Sequence, residues 1–208
     1  MTTQTSVNTS TNSGFGIGEE QGRFPVLSPG TYPGRVFAFI SLGEHEFKWN
    51  DEMIRNPRLA IVYKVYQEDR TLRPVSEIVN LSSNRKSTLC TRVAEMTGKS
   101  PFNVQFADLL NLPVLVSVEN VTRNEKTFAK ITSVIRPFAG VDCGEELADA
   151  FTFDISCKED LINKLDAVKA VSEFFGTMIV RALDEKKKAS QPEVSPEDAE
   201  RVAEKLPW

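Results

Sequence analysis

The sequence is short of the residues on which catalytic and metal sites most often depend. It has one histidine, His45, and three widely separated cysteines, Cys90, Cys143 and Cys157. Histidine is the commonest side chain for proton transfer near neutral pH, and paired cysteines at CxxC spacing are typical of zinc sites. Phosphate-loop, GxGxxG and GxSxG motifs are also missing. The sequence therefore predicts no catalytic site, no cofactor and no metal site.

Long apolar runs are missing as well. No stretch approaches the roughly 20 apolar residues that a membrane-spanning helix needs. Residues 1–13 lack the basic and apolar regions of a secretory signal peptide. An odd number of scattered cysteines fits a reducing compartment. We therefore expect a cytoplasmic protein that has no membrane partner.

Charge is distributed unevenly along the chain. The net charge of the whole chain is −4, but residues 31–140 carry +4 and residues 141–208 carry −7. A mildly basic body can attract a polyanion, whereas an acidic tail repels it or competes with it for the same surface. This pattern favours a polyanionic ligand over a neutral one.

Hydrophobic periodicity predicts the domain organisation. Residues 1–27 are polar and are expected to form a disordered arm. Beyond them, alternating apolar residues predict five strands, with one helical segment at residues 84–97 that Gly98 ends. A polar loop is expected at residues 44–57. The predicted strands cover residues 31–43, 58–68, 74–81, 113–122 and 126–136.

This order of elements predicts an α+β protein, mainly β. Five strands with a helix between the third and the fourth are typical of an oligonucleotide/oligosaccharide-binding (OB) barrel, here over residues 28–140. Residues 141–189 are predicted to be an extension with a short extended piece at 151–155 and one helix over 159–183. Residues 190–208 are predicted to be an acidic tail that includes Trp208.

Four short patterns occur in one order along the chain: GTYPGRV at 30–36, LS with KSTL at 81–89, FADLLNLP with KTFAKI at 106–131, and FTFD at 151–154. In this order they resemble phage-encoded OB-fold single-stranded DNA-binding proteins from replication and recombination gene clusters. The resemblance implies binding with little sequence preference during DNA replication, recombination or repair. It also implies that the protein acts in the host cytoplasm.

Binding of single strands requires cations for the phosphates and exposed rings on which bases stack. The outward faces of the first two strands, the first long loop and the last strand are predicted to supply both. In an alternative interpretation, Phe37 or Phe39 fills a second small core beneath the C-terminal helix. The predicted rings are Phe37, Phe39, Trp49, Tyr66 and Phe128, and the predicted cations are Arg35, Lys48, Arg58, Lys64 and Lys130.

Two further segments carry candidate binding residues. Arg85 and Lys86 precede the predicted helix and form either a phosphate contact or a solvated pair. In the tail, Leu206, Pro207 and Trp208 combine an apolar ring with nearby acids, which is typical of peptides that recruit replication or recombination proteins. Residues 195–206 alternatively form a short helix with Ser195 as its N-cap.

The predicted function is therefore non-catalytic binding and protection of single-stranded DNA. Two alternatives stay open at this point: an OB-fold protein-interaction or structural module of a phage, and a single-stranded RNA-binding protein. Stacking on rings does not depend on the sugar, so the sequence does not separate DNA from RNA. Oligomer formation is compatible with either ligand.

Overall fold

The computed structural model describes residues 26–49, 51–100, 104–123 and 125–190. Within them the protein is α+β and mainly β, as predicted. No helix in this part of the chain is long and apolar enough to cross a membrane. The strands are β1 (Gly30–Trp49), β2 (Glu52–Tyr66), β3 (Leu72–Asn80), β4 (Pro113–Arg123), β5 (Lys126–Ile135) and β6 (Phe151–Phe153), and the α-helices are α1 (Thr88–Thr97), α2 (Lys158–Asn163), α3 (Leu165–Val171) and α4 (Glu173–Ser190).

The strands form one sheet in the order β3-β2-β1-β4-β5, with antiparallel neighbours. β6 is an addition to the five predicted strands and pairs in parallel with β1. Gly34 pairs with β2 and with β4 at once, and a Cβ atom there would collide with the backbone of Lys64. β3 and β5, at the two ends of the order, approach each other, so the sheet curves back on itself.

A β-bulge at Phe37 divides the side chains of β1 between two hydrophobic cores. Val36 pairs with Tyr63 and Ala38 with Val62, so Phe37 is an extra residue in β1. A bulge of this kind changes the face on which the following side chains lie. Val36 and Phe39 consequently enter the core inside the curved sheet, which we call the barrel core. Phe37 and Ala38 enter a second core on the outer face, which we call the outer core.

Helix α1 packs against the barrel core. Its apolar residues Leu89, Val93 and Met96 are buried there, as their helical spacing predicts. The Ser87 hydroxyl caps the helix by accepting a hydrogen bond from the Cys90 N–H at 3.2 Å. Gly98, with φ of 67°, ends the helix in the left-handed conformation that glycine tolerates, again as predicted.

The N-terminal boundary of the folded part differs from the prediction. The sequence pattern places Leu27 in the disordered arm, but this residue is only 7% exposed and belongs to the barrel core. Burial of one leucine side chain contributes about 1.5–3 kcal/mol, which is enough to hold the chain at this point. Residues 1–25 of the predicted arm lie outside the described part of the chain.

The outer core lies between the outer face of β1 and β2 and the C-terminal extension. Val168 of α3 and Phe175 and Ile179 of α4 are buried in it. The prediction of one helix over 159–183 is wrong, because the chain forms three helices with interruptions at Lys164 and Ser172. Ser172 is extended, and its carbonyl accepts the first hydrogen bonds of α4. The apolar stripe thus continues across three separate helices.

Residues 44–57 are not the predicted polar loop. They form the paired ends of β1 and β2, from the pair Glu44–Pro57 to the pair Trp49–Glu52. Asp51 has φ of 66°, a conformation that tight hairpin turns require. The strands in this ribbon were not predicted, because its residues are polar and show no apolar alternation. Backbone pairing in a hairpin does not need an apolar face.

A buried ion pair connects the two ends of the sheet. Arg92 of α1 donates to Glu77 of β3 at 2.8 Å and to the Thr132 carbonyl of β5 at 3.3 Å. Burial is the largest single influence on the pKa of Arg92 and lowers it, but the hydrogen bonds to Glu77 and Glu95 and the charges of Glu77 and Tyr63 together raise the pKa above its usual value. The Tyr63 hydroxyl donates to the same carboxylate at 3.0 Å, and burial, followed by the charge of Glu77, raises the Tyr63 pKa.

Loss of this ion pair should destabilise the fold. We expect Arg92→Leu to lower the free energy of unfolding by about 3–5 kcal/mol, because it leaves the Glu77 carboxylate buried without its cation. Urea denaturation measures the change. Arg181→Leu is the matched control, since Arg181 is 71% exposed in its pair with Glu185. Equal losses in the two variants would contradict the assigned role of Arg92.

Candidate nucleic-acid interface

The outer face of β1 and β2, on which the predicted site was centred, is covered by the extension. The expectation that Phe37 and Phe39 are exposed is wrong, because they are only 5% and 1% exposed. Phe37 meets the ring of Phe151 edge to face at a centroid distance of 5.7 Å, in the outer core. Phe39 stacks on Phe106 at 4.8 Å, in the barrel core. The bulge at Phe37 sends the two rings to opposite sides of the sheet, and both sides are filled.

Arg35 connects the curved sheet to the extension. Its Nε and Nη2 atoms donate to the Gly144 carbonyl at 3.0 and 2.7 Å. Nη1 donates to the Asn111 carbonyl at 2.6 Å. The fixed fork of the guanidinium is thus directed at two backbone carbonyls. The predicted phosphate contact is not compatible with this geometry.

Lys64 and Tyr66 lie on the same covered face. The Lys64 ammonium is 3.7 Å from the centre of the Phe37 ring and 2.8 Å from Asp149. The Tyr66 ring packs so tightly on Gly144 that a Cβ atom at Gly144 would collide with it. Neither side chain forms the open stacking or phosphate contact that we expected, because the extension occupies the space in front of both.

The segment that covers this face is acidic, and we call residues 142–149 the acidic strap. Asn111 holds it in place: its Oδ1 accepts from the Leu147 N–H at 2.7 Å, and its Nδ2 donates to the Leu147 carbonyl at 3.1 Å. Four carboxylates of the strap are exposed, so a polyanion that approached this face would be repelled. They belong to Asp142, Glu145, Glu146 and Asp149.

The hairpin of β1 and β2 presents a ring and a cation together. The Arg58 guanidinium lies 4.2 Å above the centre of the Phe47 ring, and both side chains are half-buried. Partial burial lowers the pKa of Arg58. Such a pair can bind a base by stacking and a phosphate by charge. Lys48 and Trp49 continue the same strand, but their side chains lie outside the described residues.

The sequence pattern predicts Arg58 and Trp49 as site residues but not Phe47. The loop interpretation of residues 44–57 left no reason to place Phe47 beside Arg58. In the paired hairpin, Gly43 lies opposite Arg58, and Phe47 lies on the same ribbon. A signal was available in the alternation of His45, Phe47 and Trp49 along one strand.

The hairpin of β4 and β5 carries a second ring and cation. Phe128 pairs with Val121 and is half-buried, whereas Lys130 pairs with Glu119 and is exposed. Glu119 lowers the net positive charge of this hairpin. Phe128 and Lys130 are nevertheless both accessible at the surface, as predicted.

The remaining predicted residues lie elsewhere. Arg85 and Lys86 are exposed in the turn before α1, where the Lys86 N–H bonds the Asn84 side chain at 2.9 Å. Leu206, Pro207 and Trp208 of the predicted partner-binding tail lie outside the described residues. The structure thus brings Arg35, Lys64 and Tyr66 together beneath the strap. The surface candidates are divided among the two hairpins and the turn before α1.

Comparison with known proteins leaves the sequence resemblance as an expectation. No protein-family model matches the chain, and no curated protein has a significant match to it. Among the described residues, no group of three or more His, Cys, Asp or Glu side chains could hold a metal ion. The candidate site is therefore defined by the geometry of the two hairpins.

A structural role for Arg35 has a measurable consequence. We expect Arg35→Ala to lower the free energy of unfolding by about 2–4 kcal/mol, since hydrogen bonds from a charged donor to the Gly144 and Asn111 carbonyls are lost. Chemical denaturation tests this, with Arg70→Ala as the control because Arg70 is 86% exposed. A variant of unchanged stability that no longer binds nucleic acid would instead restore Arg35 to the site.

Proposed function

We propose that the protein binds single-stranded DNA without catalysis and with little sequence preference, in support of phage DNA replication, recombination or repair. The contact surface is formed by the β1–β2 hairpin and the β4–β5 hairpin. The observation that carries this proposal is the Arg58 guanidinium stacked at 4.2 Å on the half-exposed Phe47 ring. It offers a base a flat apolar surface next to a positive charge.

The strand order supports an OB-type barrel. In such barrels the helix between the third and the fourth strands closes one end, and the third strand meets the fifth. Here α1 follows β3 and packs on the barrel core, while β3 and β5 approach each other and are linked through Arg92. The loops between strands one and two and between strands four and five bind oligonucleotides in this fold class. Both proposed contacts lie on these two connections.

The acidic strap is the reason why the proposal uses hairpins and not the face between them. Lys64 is neutralised by Asp149, and Arg35 is bound to backbone carbonyls. A nucleic acid strand on this face would have to displace the strap and uncover buried apolar residues such as Leu147. Binding at the hairpins avoids that cost.

Fluorescence anisotropy with single-stranded DNA, single-stranded RNA and duplex DNA of matched length tests the proposal. We expect single strands to bind more tightly than the duplex, because only unpaired bases offer their faces for stacking. Affinity should also fall as salt is raised, because bound phosphates release counterions. Equal affinity for duplex DNA would count against stacking. Tighter binding of RNA would favour the RNA-binding alternative.

Substitutions in the hairpins locate the contact. We expect Phe47→Ala and Phe128→Ala each to weaken binding by about 5-fold to 150-fold, which corresponds to the 1–3 kcal/mol of one stacked base. Phe138→Ala is the matched control, since this ring is 70% exposed and lies outside both hairpins. Circular dichroism checks that each variant is folded. Equal effects of all three substitutions would remove the hairpins from the proposal.

A protein-interaction module is the second candidate function. The extension exposes Ile162, Phe174 and Val180, which are 70%, 43% and 45% accessible. Exposed apolar side chains are typical of interaction sites where they form a contiguous patch. Absence of binding to every nucleic acid in the anisotropy assay would favour this function over the first.

A further inference from the structure

An apolar groove of about 430 Å³ lies between α1 and the segment that follows β3. Its volume falls within the roughly 300–1,000 Å³ that is typical of pockets for small organic groups. It is lined by Leu89 and Val93 of α1 and by Leu81, and none of the described residues that line it carries a charge. The groove is therefore suited to an apolar group and not to an ion.

A flat aromatic ring also lines the groove. The ring of Phe106 stacks on Phe39 at a centroid distance of 4.8 Å and an interplanar angle of 14°. Phe39 is buried in the barrel core and covers one face of the Phe106 ring, whereas Phe106 is half-buried and borders the groove. Only the opposite face or the edge of the Phe106 ring is thus left for a ligand. A planar group in the groove would extend the stack by one ring.

Several polar atoms of the groove are already engaged within the protein. The Ser82 carbonyl accepts from the Ser87 hydroxyl at 3.1 Å and from the Cys90 thiol at 3.6 Å. The Ser82 hydroxyl accepts from the Asn84 N–H at 3.2 Å. A planar ligand would therefore be held mainly by stacking and by burial, which tolerate any base.

Cations flank this apolar groove. Residues 81–88 contain Arg85 and Lys86, which are both exposed in the turn before α1, and no acidic residue. The lining segment 104–106 is uncharged, and Asp108 is the acid nearest to it along the chain. An uncharged groove beside two cations is complementary to a group that is flat and apolar at one end and anionic at the other. An unpaired nucleotide is such a group.

The groove begins beside the proposed contact on the β1–β2 hairpin. Asn80, the last residue of β3, pairs with Arg58. The next residue, Leu81, lines the groove, and its N–H donates to the Pro57 carbonyl at 2.8 Å. Lys64, which the acidic strap neutralises, lies six residues further along β2, a distance of about 20 Å. One strand can therefore contact both the hairpin and the groove at a distance from the strap.

We propose that this groove is a third contact for the single strand, in which one unpaired base stacks on Phe106 and its phosphate binds Lys86 and Arg85. The inference rests on the proposed function, since it requires the ligand to be a single strand of nucleic acid. It extends the contact surface from the two hairpins to the side of the barrel that α1 covers. A duplex is excluded from the groove, because its bases are paired and already stacked on their neighbours.

The salt dependence of binding tests the phosphate contact. With a labelled thymidine oligonucleotide, we expect Lys86→Ala to make the slope of log affinity against log salt concentration less steep by about 0.7, the value for one phosphate of a single strand. Lys99→Ala is the matched control and should leave the slope unchanged, because Lys99 is an exposed lysine beyond the other end of α1. A slope that Lys86→Ala does not change overturns the proposal.

A substitution in the wall of the groove tests the base contact. Leu81→Asn replaces an apolar side chain by an amide without adding a charge, and we expect it to weaken binding at least about 5-fold, the lower end for one stacked base. Leu72→Asn is the matched control, since Leu72 and Leu81 are 40% and 38% exposed and Leu72 lies at the other end of β3. Circular dichroism verifies that both variants are folded. Equal affinities of the two variants overturn the proposal.

Alkylation of cysteine shows directly whether the strand enters the groove. Cys90 lines the groove, whereas Cys157 precedes α2 and is the internal control. At an oligonucleotide concentration of ten times Kd, we expect iodoacetamide to modify Cys90 about ten-fold more slowly, because only the free protein reacts, and Cys157 at an unchanged rate. Ser83→Cys repeats the measurement with a more exposed thiol in the same lining. Thiols that stay unprotected at both positions overturn the proposal.

The same measurements separate the groove from the proposed function as a whole. A wild-type chain that binds no single strand overturns both. Binding that Phe47→Ala weakens, with Cys90 unprotected and the salt slope insensitive to Lys86→Ala, overturns the groove alone and leaves the hairpin contact in place. Protection of Cys90 that appears only together with a dimeric mass in light scattering assigns the groove to a second copy of the chain and also overturns the proposal.

Discussion

One extra residue in β1 decides how the two parts of this protein are joined. Without the bulge at Phe37, the alternation of β1 would place Phe37 and Phe39 on the same face. With it, Val36 and Phe39 fill the barrel core, while Phe37, Ala38 and Ile40 fill the outer core. A single strand thus provides a wall for two hydrophobic cores. Directly after the bulge, β6 pairs in parallel with β1 along Ala38–Ile40 and connects the extension to the sheet.

The electrostatic character of the surface follows from this attachment. The extension brings the acidic strap over Arg35, Lys64 and Tyr66, where Asn111 and Arg35 hold its backbone. Cations that would otherwise attract phosphates are thereby used for internal stability. The rings and cations that remain at the surface lie on the β1–β2 and β4–β5 hairpins. Within the described structure, no strap residue is bonded to Arg58 or Lys130.

Local patterns in the sequence were reliable where one interaction dominates. The helical spacing of Leu89, Val93 and Met96 predicts the buried face of α1, and α1 ends at Gly98 for the expected steric reason. Patterns failed where hydrophobic periodicity does not determine the secondary structure. The ribbon at 44–57 is polar and nevertheless forms paired strands, and the helix predicted over 159–183 is interrupted at Lys164 and Ser172 although its apolar stripe continues.

The sequence by itself determined the α+β class, the uneven charge, and the succession of three strands, one helix and two strands along the chain. These features depend on periodicity and composition within short segments. Only the tertiary structure decided which side of the sheet each ring occupies. A shift of one residue in a strand reverses the facing of the side chains that follow, and long-range pairing of β1 with β2 sets that shift. The hydrogen bonds of Arg35 could not be predicted for a related reason, since the Gly144 carbonyl that it binds is 109 residues away in the chain.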